Sequence, residues 1–257
     1  MDNDMAALKQ WQDPMRGPFR RVGPGFVLRI VTTGGLVFLI AAGGADPDPA
    51  QASAAQSRPG LQQPIAIVNS PPPMLLEVGE TAEDLFDAAR LSNWTGAAVA
   101  LQAMKESAED LPATFSKPDL AARLQSRLEE VGDSVATRQR LQTMDFANAI
   151  TRLVAELSEE YQPERPFALV LLGYYGRELE LGIAAADQAR LTRAATDLRE
   201  TWNRFEGTIL QRGAVDDARR FSDIVVQLEG ARAPDDFVEP TRAELDAVQR
   251  LEKVFRP

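Results

Sequence analysis

This chain predicts an all-α fold: a helical bundle of six or seven helices around an antiparallel four-helix core, preceded by an export or anchor segment and a disordered linker. Three observations carry that expectation. From Glu80 onward the apolar residues recur at spacings of three and four, the period of one face of a helix. Alternating apolar and polar runs are absent, and no Asn-Gly or Asp-Gly pair offers a hairpin turn. Val and Ile are scarce outside those helical seams, where strands would concentrate them.

Each segment has its own justification. A first helix is expected from near Thr81, with Asp84 three residues on in the manner of a capping box, burying Leu85, Ala88, Ala89 and Leu91. Asn93 is a candidate cap for a second segment carrying Ala98, Leu101 and Met104 as far as Pro112; a helical hairpin and one bent helix both fit. Pro118 suits the first turn of the next helix, whose stripe is Leu120, Leu124 and Leu128, ending at Gly132. A long helix from about Ser134 to Tyr161 follows, with Phe146, Ile150, Leu153 and Leu157 as its seam and Pro163 and Pro166 closing it. The stretch Phe167 to Ala186 is apolar almost all round, which marks the central helix. Leu191, Ala195, Leu198, Trp202, Phe205 and Ile209 keep four-three spacing up to Gly213, placed where a helix is commonly terminated by glycine. Two last segments carry Ala218, Phe221, Val225 and Leu228, then Leu245, Val248, Leu251 and Phe255. No period establishes a solenoid.

Residues 1–45 read as a signal peptide or an N-terminal membrane anchor. Lys9, Arg16, Arg20, Arg21 and Arg29 precede an uncharged, mostly apolar run from Ile30, and Ala50-Gln51-Ala52 offers a small-x-small cleavage pattern. The run exceeds the usual apolar core of a signal peptide, about 7–15 residues, but falls short of the roughly 20 that a spanning helix needs. Cleavage and retention of residues 26–45 as a tether both remain open, and under either the bulk of the chain is translocated. The expected location is the bacterial periplasm. Residues 46–74, with Pro47, Pro49, Pro59, Pro64 and Pro71-Pro72-Pro73 among Ala, Gln and Ser, have the composition of an extended linker. The helical domain is expected over residues 75–257.

Composition prunes the functional classes. The net charge is −10, and the first 29 residues hold more bases than acids, so the remainder is more acidic than the whole. Such a surface repels phosphate backbones and anionic headgroups, which argues against nucleic acid as a partner and leaves the N-terminal segment as the only expected membrane contact. A partner with a basic surface fits better. The chain contains no histidine and no cysteine. It therefore offers no disulfide, zinc-finger or haem-attachment pattern, no His-based catalytic triad and no Glu-x-x-His di-iron motif. No catalytic residue, metal or cofactor is expected, and the chain reads as no enzyme.

The candidate site lies in the most apolar helix, at Gly173-Tyr174-Tyr175-Gly176-Arg177-Glu178 with Glu180. Glycines beside aromatics permit close approach, and an arginine and glutamates in an apolar helix require partners. One reading is a ligand pocket lined by Tyr174, Tyr175, Arg177, Glu178 and Trp202, the tyrosines stacking on a ligand and Arg177 gripping an anionic group. The other is packing, with Arg177 paired to Glu180 or to an acid of a neighbouring helix. Asn148, near the seam of the long helix, is expected to fix register. Acidic groups such as Glu106/Glu109/Asp110 and Glu156/Glu159/Glu160 read as solvated faces. The leading expectation is a non-enzymatic envelope protein acting through protein–protein contact, as accessory subunit or scaffold of a membrane-associated complex. The alternative is a periplasmic small-molecule-binding bundle using the Tyr/Arg-lined pocket. The sequence leaves the oligomeric state open.

Overall fold

The computed structural model describes residues 70–111, 115–161 and 166–255. The proposed export segment and nearly all of the proposed linker lie outside the described residues, as do Pro112 and Pro163. Among the described residues there are eight helices and no strand: α1 Pro73–Arg90, α2 Trp94–Glu109, α3 Pro118–Ala136, α4 Arg140–Ser158, α5 Phe167–Ala185, α6 Gln188–Gln211, α7 Val215–Gly230 and α8 Pro234–Phe255. None of them is long and apolar enough to cross a membrane.

Helix α1 starts two turns before the expected cap. Pro73 occupies its first turn, where a missing N–H costs nothing, and Leu75 and Val78 are fully buried ahead of Thr81. Thr81 caps nothing: its hydroxyl donates to the carbonyl of Glu77 at 2.7 Å, one turn back inside the helix. The α1–α2 boundary is a true turn, so the hairpin is the form adopted. Asn93 caps α2 as expected, its Oδ1 accepting from the Gly96 N–H at 3.0 Å. The α3–α4 break falls at residues 137–139 rather than at Gly132, which stays helical.

Four turns share one geometry. After α1, α3, α5 and α6 a residue with positive φ, Ser92 (54°), Arg138 (55°), Ala186 (51°) and Gly213 (81°), is followed by an N–H that reaches five residues back to a carbonyl. These closing bonds are Asn93 to Ala88 (2.8 Å), Gln139 to Ser134 (2.9 Å), Asp187 to Gly182 (2.9 Å) and Ala214 to Ile209 (3.3 Å). Only the last uses glycine, the one terminus that the sequence marks plainly. A side chain in the left-handed region carries a cost of roughly 1 kcal/mol. Ala186→Gly is therefore expected to raise stability by up to about 1 kcal/mol, less what the added flexibility of the unfolded chain removes. A urea titration reads that gain directly.

The helices close into two rings. In the first, α1 packs on α2 and α4, α3 packs on α4, and α2 meets α3 more sparsely; in the second, α5–α6, α6–α7, α7–α8 and α8–α5 are neighbours. Helices α4 and α5 join the rings. Each ring encloses its own core. Phe86, Met104, Leu124, Met144, Ile150 and Leu157 fill the first, and Leu169, Leu198, Trp202, Phe221, Phe237 and Leu251 the second. The bundle thus has two four-helix cores where one was expected, because α5 sends nearly all its apolar residues to α6 and α8 and only Leu181 to the first core. Its central position, between α4 on one side and α6 and α8 on the other, is as the sequence predicts.

Candidate functional site: a polar belt on the central helix

Helix α5 separates the two cores, and its polar side chains must find partners in that seam. They do so in three directions. Toward α4 and α6, Glu178 accepts from Arg190 Nε at 2.8 Å and Nη2 at 2.9 Å and from Asn148 Nδ2 at 2.8 Å. The same Asn148 amide donates to the carbonyl of Tyr174 at 3.2 Å, and Arg190 Nη2 reaches Asp145 at 2.5 Å. Asn148 is completely buried and ties α4 to α5, the register role its seam position suggests. Arg190 thus closes this inner network, joining Glu178 of α5 to Asp145 of α4.

The two tyrosines diverge. Tyr174 lies beneath the Arg152 guanidinium, 5.3 Å from its ring centre, and meets Tyr175 edge-on at 5.2 Å. Burial pushes its hydroxyl up to about 12, with Glu178 adding to the rise and Arg152 opposing it. Tyr175 turns into the second core, where burial also raises its hydroxyl. Trp202 is 2% exposed, stacks against Phe221 at 4.4 Å and donates from Nε1 to Ser222 Oγ at 2.9 Å. A buried indole with its N–H satisfied is a core residue.

Toward α1 and α8 the belt is less balanced. Arg177 Nη2 pairs with Glu83 of α1 at 3.0 Å, the acid on a neighbouring helix that the packing alternative anticipates. Its Nη1 is buried without a hydrogen-bond partner. Glu180, 8% exposed, has Arg90 Nε at 4.0 Å, while Arg90 bonds Asp87 more closely at 3.2 Å. Burial drives the Glu180 carboxyl up to about 7; Arg90 and Arg177 lower it and Asp87 raises it. Glu244 of α8 is fully buried, and neither of its oxygens has a hydrogen-bond partner. Its carboxyl stands well above the usual range, chiefly through burial, with Glu180 adding and Arg177 opposing.

Of the five expected site residues, Tyr174 and Glu178 therefore share one network, Arg177 belongs to another, and Tyr175 and Trp202 line the second core. Glu244 escapes the sequence reading. It occupies a seam position, in step with the buried Phe237, Thr241, Val248 and Leu251. The periodicity of Leu245, Val248, Leu251 and Phe255 predicts a seam that leaves this acid on the wet face. An acid in register with a run of apolar residues was the available signal.

The described residues also form two grooves. A cavity of about 780 Å³ runs along α2 from Trp94 through Thr95, Ala98, Val99 and Gln102 to Glu106, against Val135, Ala136 and Arg138 at the end of α3. A second, of about 460 Å³, lies where α1 begins, between Leu76, Gly79, Val154, Phe167 and Val170, with Ser158 among its lining residues. The acidic faces elsewhere are neutralised in part, Glu156 by Arg152 at 2.7 Å and Glu159 by Lys117 at 3.0 Å. Among the described residues no group of acids is placed to hold a metal ion. Comparisons with protein families, with curated proteins and with solved structures find no match to this chain.

Proposed function

We propose that the protein acts by protein–protein contact in the cell envelope, as an accessory subunit or scaffold of a membrane-associated complex, and that the α2–α3 groove receives an amphipathic helix with a basic flank. The observation that carries this reading is the sparse packing between α2 and α3, which leaves the groove open. Its wall includes Val99, 67% exposed, with Ala98 and Ala103 beside it. Thr95, Ala98, Val99, Gln102 and Glu106 share one face of α2, apolar at 98 and 99 and polar toward 106, which suits an amphipathic helix laid into the groove. Charge selects the occupant. Glu106 lines the groove and Glu109 and Asp110 continue its edge, within a chain of net charge −10. Arg138 at the opposite end favours the carbonyl end of a helix or an acidic residue there. A ligand pocket built from Tyr174, Tyr175, Arg177, Glu178 and Trp202 has less in its favour, because those side chains turn toward three different neighbours.

A photo-crosslinking residue placed at Val99 in the native host tests the reading against the same residue at Val226, equally exposed on α7. The expected result is a discrete crosslinked species from position 99, absent from position 226 and lost when Ala98→Arg sets a charge against the basic helix. Identical patterns from both positions, or a crosslink indifferent to Ala98→Arg, would reject the groove as the contact.

A further inference from the structure

The contact between the two rings has an unusual character. Besides the α4–α5 packing, α1 faces the second ring, yet no Cα atom of α1 comes within 8 Å of one in α5 or α8. Charged side chains span that gap instead: Arg177 to Glu83 and Arg90 to Glu180. Behind them lies Glu244, completely enclosed and without a hydrogen-bond partner. The space it occupies exists because residue 176 is glycine; a Cβ there would lie 2.0 Å from Glu244 Oε2.

We propose that Glu180 and Glu244 form a proton-operated latch between the two four-helix rings, holding them together when protonated and loosening them when ionised.

The charges facing this pair come from three helices. Helix α1 contributes Glu83, Asp87 and Arg90, α5 contributes Arg177, and α8 contributes Arg242, whose Nη1 lies 3.1 Å from Glu239. Helices α4 and α6 direct Asp145 and Arg190 to Glu178, and α7 directs Asp217 to Arg250. The nearby bases are already engaged in part: Arg177 with Glu83 through Nη2, its Nη1 left without a hydrogen bond, Arg90 with Asp87, and Arg242 with Glu239. Ionised Glu180 would have to draw Arg90 away from Asp87, and ionised Glu244 would meet Arg177 with one guanidinium edge already committed. A charge left in that position must pull in water, and water enters most readily at a seam bridged by side chains alone. The direction is set by the raised affinity of both carboxyls for protons. Such groups stabilise the closed arrangement at low pH and lose that contribution as pH rises through the folded-state value.

The chain has no cysteine, so Val99→Cys on α2 and Val226→Cys on α7 give one spin-label pair across the rings in the full-length protein. The expected result is a narrow distance distribution at pH 5.5 that lengthens and broadens at pH 8.5 while far-ultraviolet helicity is retained. Glu180→Gln and Glu244→Gln, each made separately in case one does not fold, should hold the low-pH distribution at both values. A distribution unchanged with pH, a shift that persists in the folded glutamine variants, or a shift accompanied by loss of helicity would each overturn the latch.

Discussion

Gly176→Ala is expected to destabilise the protein by about 3 kcal/mol, the upper end of what one extra methyl costs in a filled interior. The added Cβ would stand 2.0 Å from Glu244 Oε2 and 2.7 Å from Leu245 Cδ2. Both atoms are ends of side chains, which at a surface would swing aside. Glu244, however, is wholly enclosed, so its displacement carries an unpartnered carboxyl into neighbouring apolar atoms. The better helix propensity of alanine returns only about 1 kcal/mol. Gly207→Ala in α6 is the matching control, since nothing lies within 4 Å of its added Cβ. That substitution is expected to stabilise by about 0.5–1 kcal/mol. Urea unfolding of the two variants side by side separates the steric cost from the propensity gain. Adding Glu244→Ala to Gly176→Ala removes the clash with residue 244 and leaves only that with Leu245, so the two changes should combine to less than the sum of their separate effects. Strict additivity would mean that Gly176 is not there to make room for Glu244.

Stability itself is expected to fall as pH rises through about 7. The Glu180 carboxyl titrates near 4.5 when the chain is unfolded and at about 7 when folded, so the folded state binds the proton more tightly. The stabilisation is fully present below the unfolded value and disappears as the pH passes the folded one. At about 1.4 kcal/mol for each unit of separation, the loss is on the order of 3 kcal/mol between pH 4.5 and pH 8. Glu244 pushes in the same direction over a higher range. Depressed carboxyls work oppositely: Asp236, held low by the backbone N–H groups of Arg232 and Ala233, stabilises above its unfolded value and is lost in acid. Equilibrium unfolding from pH 5 to pH 9 should show wild-type stability dropping on the alkaline side. Glu180→Gln should be flatter across pH 6–8 and more stable than wild type at pH 8. A wild-type profile that rises or stays level through neutral pH would show that water already reaches Glu180.

The helices themselves were legible because their periodicity is local. Leu191 through Ile209 in α6 and Leu120 through Leu128 in α3 state the buried face without reference to anything else. Termini were legible only where a residue type is unambiguous. Asn93 and Gly213 announced theirs, whereas Arg138 and Ala186 hold the same left-handed turn with side chains that give no sign of it. Thr81 imitated a cap because a hydroxyl followed by an acid serves equally well in a helix interior, bonded to a carbonyl one turn back.

By itself the sequence determined an all-helical bundle, the apolar face of most segments, the central place of the helix carrying Tyr174 and Tyr175, and the absence of any histidine or cysteine chemistry. These follow from residue type and from spacings of three and four, which act within one helix. Only the tertiary structure decided that there are two cores rather than one, that Tyr175 and Trp202 belong to the second, that Arg177 reaches Glu83, and that Glu244 lies buried against Gly176. The physical reason is that an amphipathic pattern specifies a buried face but not the helix it is buried against. A polar residue on such a face declares that it needs a partner, and which one it finds depends on helices distant in the chain.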